Sequence, residues 1–209
     1  WDLQDRQIKT RRLAHQQQIN QIAFTPDSRW IGSVSNDGLV KLWNLTDDHP
    51  VAVIRDQQGP VNTIAFSPDG SHCVTGGHDQ VLRVWNRENQ QLVEEIPGHR
   101  LGILTVDWSL DGTWIASSGY DRSIRVWNVD RRALQFDLKG HTGPVTQVRF
   151  SPDSQRIVSA SYDFSLKVWD VVCGNQILTL AGHRGVSWCA EFSPQGDWIA
   201  SGSSDSQIR

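Results

Sequence analysis

The sequence predicts an all-β fold, and three observations carry that prediction. Trp1, Trp43, Trp85, Trp127 and Trp169 stand 42 residues apart without insertion, and Asp37, Asp79, Asp121, Asp163 and Asp205 keep the same step. Within each unit apolar and polar residues alternate with a period of two, as they do along a half-buried strand. Turn residues separate the runs at a fixed place: Thr25-Pro26-Asp27-Ser28, Ser67-Pro68-Asp69-Gly70, Ser109-Leu110-Asp111-Gly112, Ser151-Pro152-Asp153-Ser154 and Ser193-Pro194-Gln195-Gly196. No segment reads with helical period.

The fourth unit serves to justify the elements in order. Val148 and Phe150 alternate with Gln147 and Arg149, giving a first strand that ends at the Pro-Asp turn. A β-rich run from Arg156 to Ala160 gives a second. Leu166 to Trp169 is nearly continuous, as expected of a strand buried on both faces. Gln176 to Leu180 is a weaker fourth run before Gly182-His183. Four short strands per unit, joined by tight turns, make one blade of a β-propeller of four-stranded antiparallel blades. Five such units are present, and the whole chain, residues 1–209, reads as one domain.

Composition narrows the class. With 38% hydrophobic and 21% charged residues, the chain has enough apolar material for a core and is not a disordered tail. A net charge of −3 argues against a broad nucleic-acid surface. The basic cluster Arg6, Lys9, Arg11 and Arg12 reads as a solvated edge strand. No apolar run is long enough for a membrane helix, so no membrane partner is expected. Three cysteines, Cys73, Cys173 and Cys189, with no CxxC pair, fit a reducing compartment. No charged segment followed by an apolar run opens the chain, and the expected location is cytoplasmic. The chain has ten Trp but no Met and opens at Trp1, which suggests a piece of a larger protein.

Motifs at this spacing resemble the WD-repeat (tryptophan-aspartate repeat) family: Gly140-His141, Ser151-Pro152-Asp153, Ser159 with Asp163, and Trp169-Asp170. The uninterrupted step is similar to the regular arrays of bacterial multi-domain signalling proteins, and the resemblance implies that the five units are part of a larger, about seven-bladed propeller. The resemblance places a structural tetrad in each blade. The sets are His15, Ser33, Asp37 and Trp43; Gln57, Thr75, Asp79 and Trp85; His99, Ser117, Asp121 and Trp127; His141, Ser159, Asp163 and Trp169; and His183, Ser201 and Asp205. Read for chemistry, a Ser-His-Asp set invites a hydrolase assignment. Its recurrence in blade after blade argues instead for pairing of buried polar groups, with no catalytic residue. Gln57 replaces the histidine in the second unit, so that network is expected to be the weakest. His residues in separate blades are too far apart to share an ion, and no phosphate loop occurs, so neither metal nor cofactor is expected.

Function then falls to a surface, and the expectation is a non-catalytic scaffold that binds a protein or peptide. A hydrolase and a nucleic-acid-binding propeller are the alternatives. The resemblance implies contacts on the narrow face around the channel, from three positions per blade. One column is Asn36, His78, Tyr120, Tyr162 and Ser204; a second is Asn20, Asn62, Leu104, Thr146 and Trp188; a third is Gln18, Pro60, Gly102, Pro144 and Val186. Tyr120, Tyr162, Trp188, Leu104, Arg100, Arg184 and His78 stand out as partner-binding candidates, since aromatic and Arg side chains are the usual interface anchors. Open blade faces at the two ends are expected to be covered by further blades or domains of the same chain or assembly.

Overall fold

The computed structural model describes residues 13–45, 50–55 and 58–209. Trp1, Arg6, Lys9, Arg11, Arg12 and Gln57 therefore lie outside the described residues. Among the described residues there is no helix, and 18 strands form five antiparallel sheets. The first blade holds β1 (Ile19–Phe24), β2 (Trp30–Ser35), β3 (Val40–Asn44) and β4 (Pro50–Ile54). The second holds β5 (Val61–Phe66), β6 (His72–Gly77), β7 (Val81–Asn86) and β8 (Leu92–Pro97). The third follows with β9 (Ile103–Trp108), β10 (Trp114–Gly119), β11 (Ile124–Asn128) and β12 (Ala133–Leu138). The fourth is β13 (Val145–Phe150), β14 (Arg156–Ser161), β15 (Leu166–Asp170) and β16 (Gln176–Leu180). The fifth sheet is β17 (Ser187–Phe192) paired with β18 (Ile199–Ser203), extended by a bridge between Gly202 and Ile208. In every sheet the strands lie in sequence order, so each blade is a simple meander.

The repeated turn closes the first hairpin through one hydroxyl. Ser151 Oγ donates to Asp153 and accepts the Arg156 amide at 2.9 Å, and the other Ser and Thr residues of this turn repeat the amide contact. The fourth turn residue has positive φ in all five copies: Ser28 57°, Gly70 68°, Gly112 78°, Ser154 59° and Gly196 77°. That requirement explains why glycine holds the position in three of them.

The core lies between blades. Innermost strands β1, β5, β9, β13 and β17 stand side by side around a channel, and each blade lays one face on its neighbour. Ile64, Val106 and Val148 occupy one repeat position and are fully buried, whereas Ile22, their counterpart in the first blade, is 57% exposed. Phe24 is likewise exposed where Phe66, Trp108 and Phe150 are buried, and Trp198 at the far end is 78% exposed. Sequence alone makes these residues equivalent; only the presence of a neighbouring blade separates them.

A matched pair of substitutions measures that difference. Ile64→Ala should destabilise the fold by about 2–5 kcal/mol, the usual cost of emptying a buried isoleucine site, and Ile22→Ala by less than about 1 kcal/mol. Equal shifts in denaturant midpoint would contradict this packing.

Candidate site on the channel face

Each innermost strand carries a bulge at one repeat position. The register skips Asn20, Asn62, Leu104, Thr146 and Trp188, because the pairs on either side leave each without a partner. A bulge re-aims a side chain. In three blades the redirected group reaches the next blade: Asn20 donates to the Val61 carbonyl at 2.8 Å, Asn62 to Ile103 at 2.7 Å, and Thr146 to Ser187 at 2.7 Å. Leu104 has no donor, and Ser118 Oγ reaches the corresponding carbonyl of Val145 at 3.1 Å instead. Lower on the same strands, Gln21, Thr63, Asp107 and Gln147 accept amide hydrogens from Ile64, Val106, Phe150 and Ala190 of the following blade. The bulge column is the candidate partner surface of the sequence, and its polar members also join blade to blade.

The tetrads are formed as side-chain relays. In the fourth blade Trp169 Nε1 donates to Ser159 Oγ at 2.9 Å, Ser159 meets His141 Nε2 at 2.8 Å, and His141 Nδ1 meets Asp163 at 2.8 Å. The first and third blades repeat the relay through Trp43, Ser33, His15 and Asp37, and through Trp127, Ser117, His99 and Asp121. In the fifth, His183 joins Ser201 and Asp205, both at 2.9 Å. Each aspartate also accepts the amide of the residue after the histidine, Gln16, Arg100, Thr142 or Arg184. Burial alone raises the Asp163 carboxyl, but bonds from Ser165, the Thr142 amide and His141 outweigh it and hold the group at about 2. The His141 imidazole is pushed down by burial, partly offset by Asp163.

The second blade departs from expectation in an instructive way. Trp85 Nε1 still donates to Thr75 Oγ1 at 3.0 Å, but Asp79 is met by Arg83 at 2.5 Å. Arg83 is buried and also contacts Glu95 at 2.7 Å. Its counterparts go elsewhere where a histidine is present: Lys41 donates to the Ala14 carbonyl and Arg125 to that of Gly98. A basic residue the repeat already contained thus sets a guanidinium on Asp79 in the blade that carries Gln57 in place of the histidine. The expected weakening of this network turns on Gln57, which lies outside the described residues; the contact of Arg83 with Asp79 is one that only the fold brings about.

The aromatic candidates gather on one arc. Trp188 is half-exposed at the fifth bulge, and Tyr162 meets it edge-on, with ring centroids 5.3 Å apart and planes at 77°. Leu104 and Trp188 line a cavity of about 230 Å³ together with Asn62, Thr146, Gln147 and Arg149. Tyr120 is exposed on the neighbouring blade, and Arg100, Arg184 and His78 are exposed around the same rim. Asn20 lines the same cavity from the first blade, but it donates to Asn36 at 2.8 Å and to the Val61 carbonyl, so its amide is tied up internally. Deeper in the channel a charged ladder runs across three blades: Arg149 lies 3.9 Å from Asp107 and 3.4 Å from Glu191. Alanines occupy this position in the first two blades, Ala23 and Ala65. Burial pushes the Asp107 carboxyl up to about 6, against the pull of Arg149 and the Phe150 amide.

Blades of this architecture, with a Trp-Ser-His-Asp relay in each complete set, define a WD-repeat propeller. The family model for the WD domain, G-beta repeat, matches residues 6–44, 48–86, 90–128, 132–170 and 174–209, and the chain belongs to this family. WD-repeat proteins are generally protein-interaction scaffolds and typically not enzymes. A Notchless protein homolog from Arabidopsis thaliana is 44% identical over 55 residues, which are 26% of this chain and 12% of that protein. The chain thus spans a small part of that relative's length.

Three stability measurements follow from this geometry. Asp163→Ala should cost about 1–3 kcal/mol by stripping buried donors of their acceptor. Asp79→Ala should cost at least as much, about 3 kcal/mol, because it takes one of two carboxylates from a buried guanidinium and leaves the half-exposed Glu95 to hold it; a clearly smaller loss would refute the role of Arg83 in this network. Asp107 has the opposite pH sign to the tetrad aspartates. Its folded value of about 6 exceeds the ordinary 3.8, so its contribution is fullest below the ordinary value and is lost as pH rises through about 6. Urea titrations from pH 4 to 8 should show that decline in the parent chain and a flatter profile in Asp107→Asn.

Proposed function

We propose that this chain is a non-catalytic scaffold that binds a protein or peptide through the narrow face around its channel. The observation carrying the reading is the half-exposed Tyr162–Trp188 pair, placed at a bulge that elsewhere joins blades. Rigid aromatic side chains at an exposed concave rim bury much area at low entropic cost. Leu104 and Tyr120 extend the apolar arc, and Arg100, Arg184 and His78 supply polar contacts at its edge. A partner docks off-centre, toward the third to fifth blades, and inserts an apolar or cationic side chain beside the rings. Against the hydrolase alternative, Ser33, Ser117, Ser159 and Ser201 are buried, and the first three already accept an indole N–H. The net charge of −3 offers little to a nucleic acid. A cytoplasmic signalling assembly is the proposed setting, with further blades covering Ile22, Phe24 and Trp198.

The test begins with peptides selected from a displayed library on the folded chain. Tyr162→Ala and Trp188→Ala should each weaken their binding by about 1–2 kcal/mol while leaving the unfolding midpoint nearly unchanged. Asn20→Ala and Asn62→Ala, whose amides are spent on the next blade, should chiefly lower stability through the lost inter-blade bond and weaken affinity less than either aromatic substitution. Selected peptides indifferent to both aromatic substitutions would refute this site.

A further inference from the structure

On the face opposite the Tyr162–Trp188 rim, a crevice of about 310 Å³ opens between the second and third blades. Its floor is apolar: Val84, Trp108, Ile115 and Trp127 are all buried core residues. Both indoles are satisfied, Trp108 by the Gly112 carbonyl and Trp127 by Ser117, so the floor asks for no polar group. The volume lies at the lower end of ligand pockets, about 300–1,000 Å³, and suits a single large side chain.

The crevice opens where two repeat positions depart from the pattern at one spot. His72 stands where other blades have Trp30, Trp114, Arg156 and Trp198, and Glu94 stands where they have Ala52, Phe136 and Leu178; Val129, like Leu45 and Val171 at its position, is shorter than Arg87. At the first inter-blade junction the Arg87 guanidinium lies over the Trp30 ring, 5.0 Å from its centroid. At the third, Trp114 and Phe136 pack into the core, with Phe136 so close to Gly174 that an added Cβ would come within 2.5 Å. At the fourth, Arg156 lies 5.5 Å from the Phe192 ring. At the second junction neither His72 nor Glu94 supplies a large aromatic ring or a guanidinium, and the space stays open. The chain itself therefore shows what fits such a space: an aromatic ring or a guanidinium.

Charge selects further. Strand alternation puts Glu94 on the inward row of β8 beside Ile96, where its carboxylate is half-buried and makes no hydrogen bond or ion pair among the described residues. Asp130 lines the same rim, and Arg132 beside it pairs with neither carboxylate. A half-buried carboxylate over an aromatic floor is poorly solvated and gains from a cation brought to it.

We propose that this crevice is a second binding site, for a partner segment that inserts an aromatic side chain and sets an adjacent Lys or Arg against Glu94. Titration of the chain with acetyl-Gly-Phe-Lys-Gly-amide, followed by the NMR indole N–H signals of Trp108 and Trp127, tests it. Saturable shifts are expected, weakened at least about tenfold when Lys becomes Glu in the peptide or in Glu94→Gln. Glu94→Phe, which installs the fourth strand residue of the third blade, should abolish binding and raise the unfolding midpoint. Trp188→Ala should bind the peptide unchanged, separating this site from the channel face. Equal binding of the Lys and Glu peptides, binding that survives Glu94→Phe or is lost in Trp188→Ala, or no shift at millimolar peptide would overturn the proposal.

Discussion

Everything in this propeller depends on pairing polar groups that the blades bury. A four-stranded blade packed on both faces encloses indole, hydroxyl and imidazole groups, and an unpaired one costs about 1–3 kcal/mol. The Trp-Ser-His-Asp relay gives each donor an acceptor and ends on a carboxylate that also holds two loop amides, such as those of Thr142 and Ser165 on Asp163. It thereby joins the loop entering the blade to its second and third strands. The same demand explains the inter-blade bonds of Asn20, Asn62 and Thr146, which satisfy carbonyls of the next innermost strand.

Where one member of a network changes, another group takes its place. Arg83 turns to Asp79 in the blade without the histidine, and Ser118 reaches Val145 beneath Leu104. Both substitutes come from positions that face the vacancy in the folded blade yet lie several residues away in sequence. The fold therefore tolerates change at a repeat position when a neighbour can restore the lost bond. Such tolerance frees a few positions for other uses. Leu104 and Trp188 no longer serve the inter-blade bond, and their apolar side chains line the channel mouth.

Distinctive chemistry thus lies in departures from the repeat. Five units with one backbone plan differ at the channel mouth, in the Asp107–Arg149–Glu191 ladder, and in the crevice beside Glu94. The relay itself is buried and recurs in the first, third and fourth blades, which suits a scaffold. A surface that binds must distinguish one blade from the next, and the exposed arc from Tyr120 to Trp188 does so.

The sequence by itself determined the blade plan, because a 42-residue step, strand alternation and a Pro-Asp turn are local signals. It also marked the tetrads and the aromatic columns, since both recur or break at fixed offsets. Tertiary structure alone decided which equivalent residues are buried. Ile22 and Ile64 are the same residue at the same position, but only Ile64 has a preceding blade against it. Structure alone also brought Arg83 to Asp79, turned the bulge column toward its neighbours, and left a crevice where His72 and Glu94 are too small or too polar to fill it. These outcomes depend on contacts between chain segments dozens of residues apart, where side-chain direction and the neighbour's volume decide, and neither is written into the local pattern.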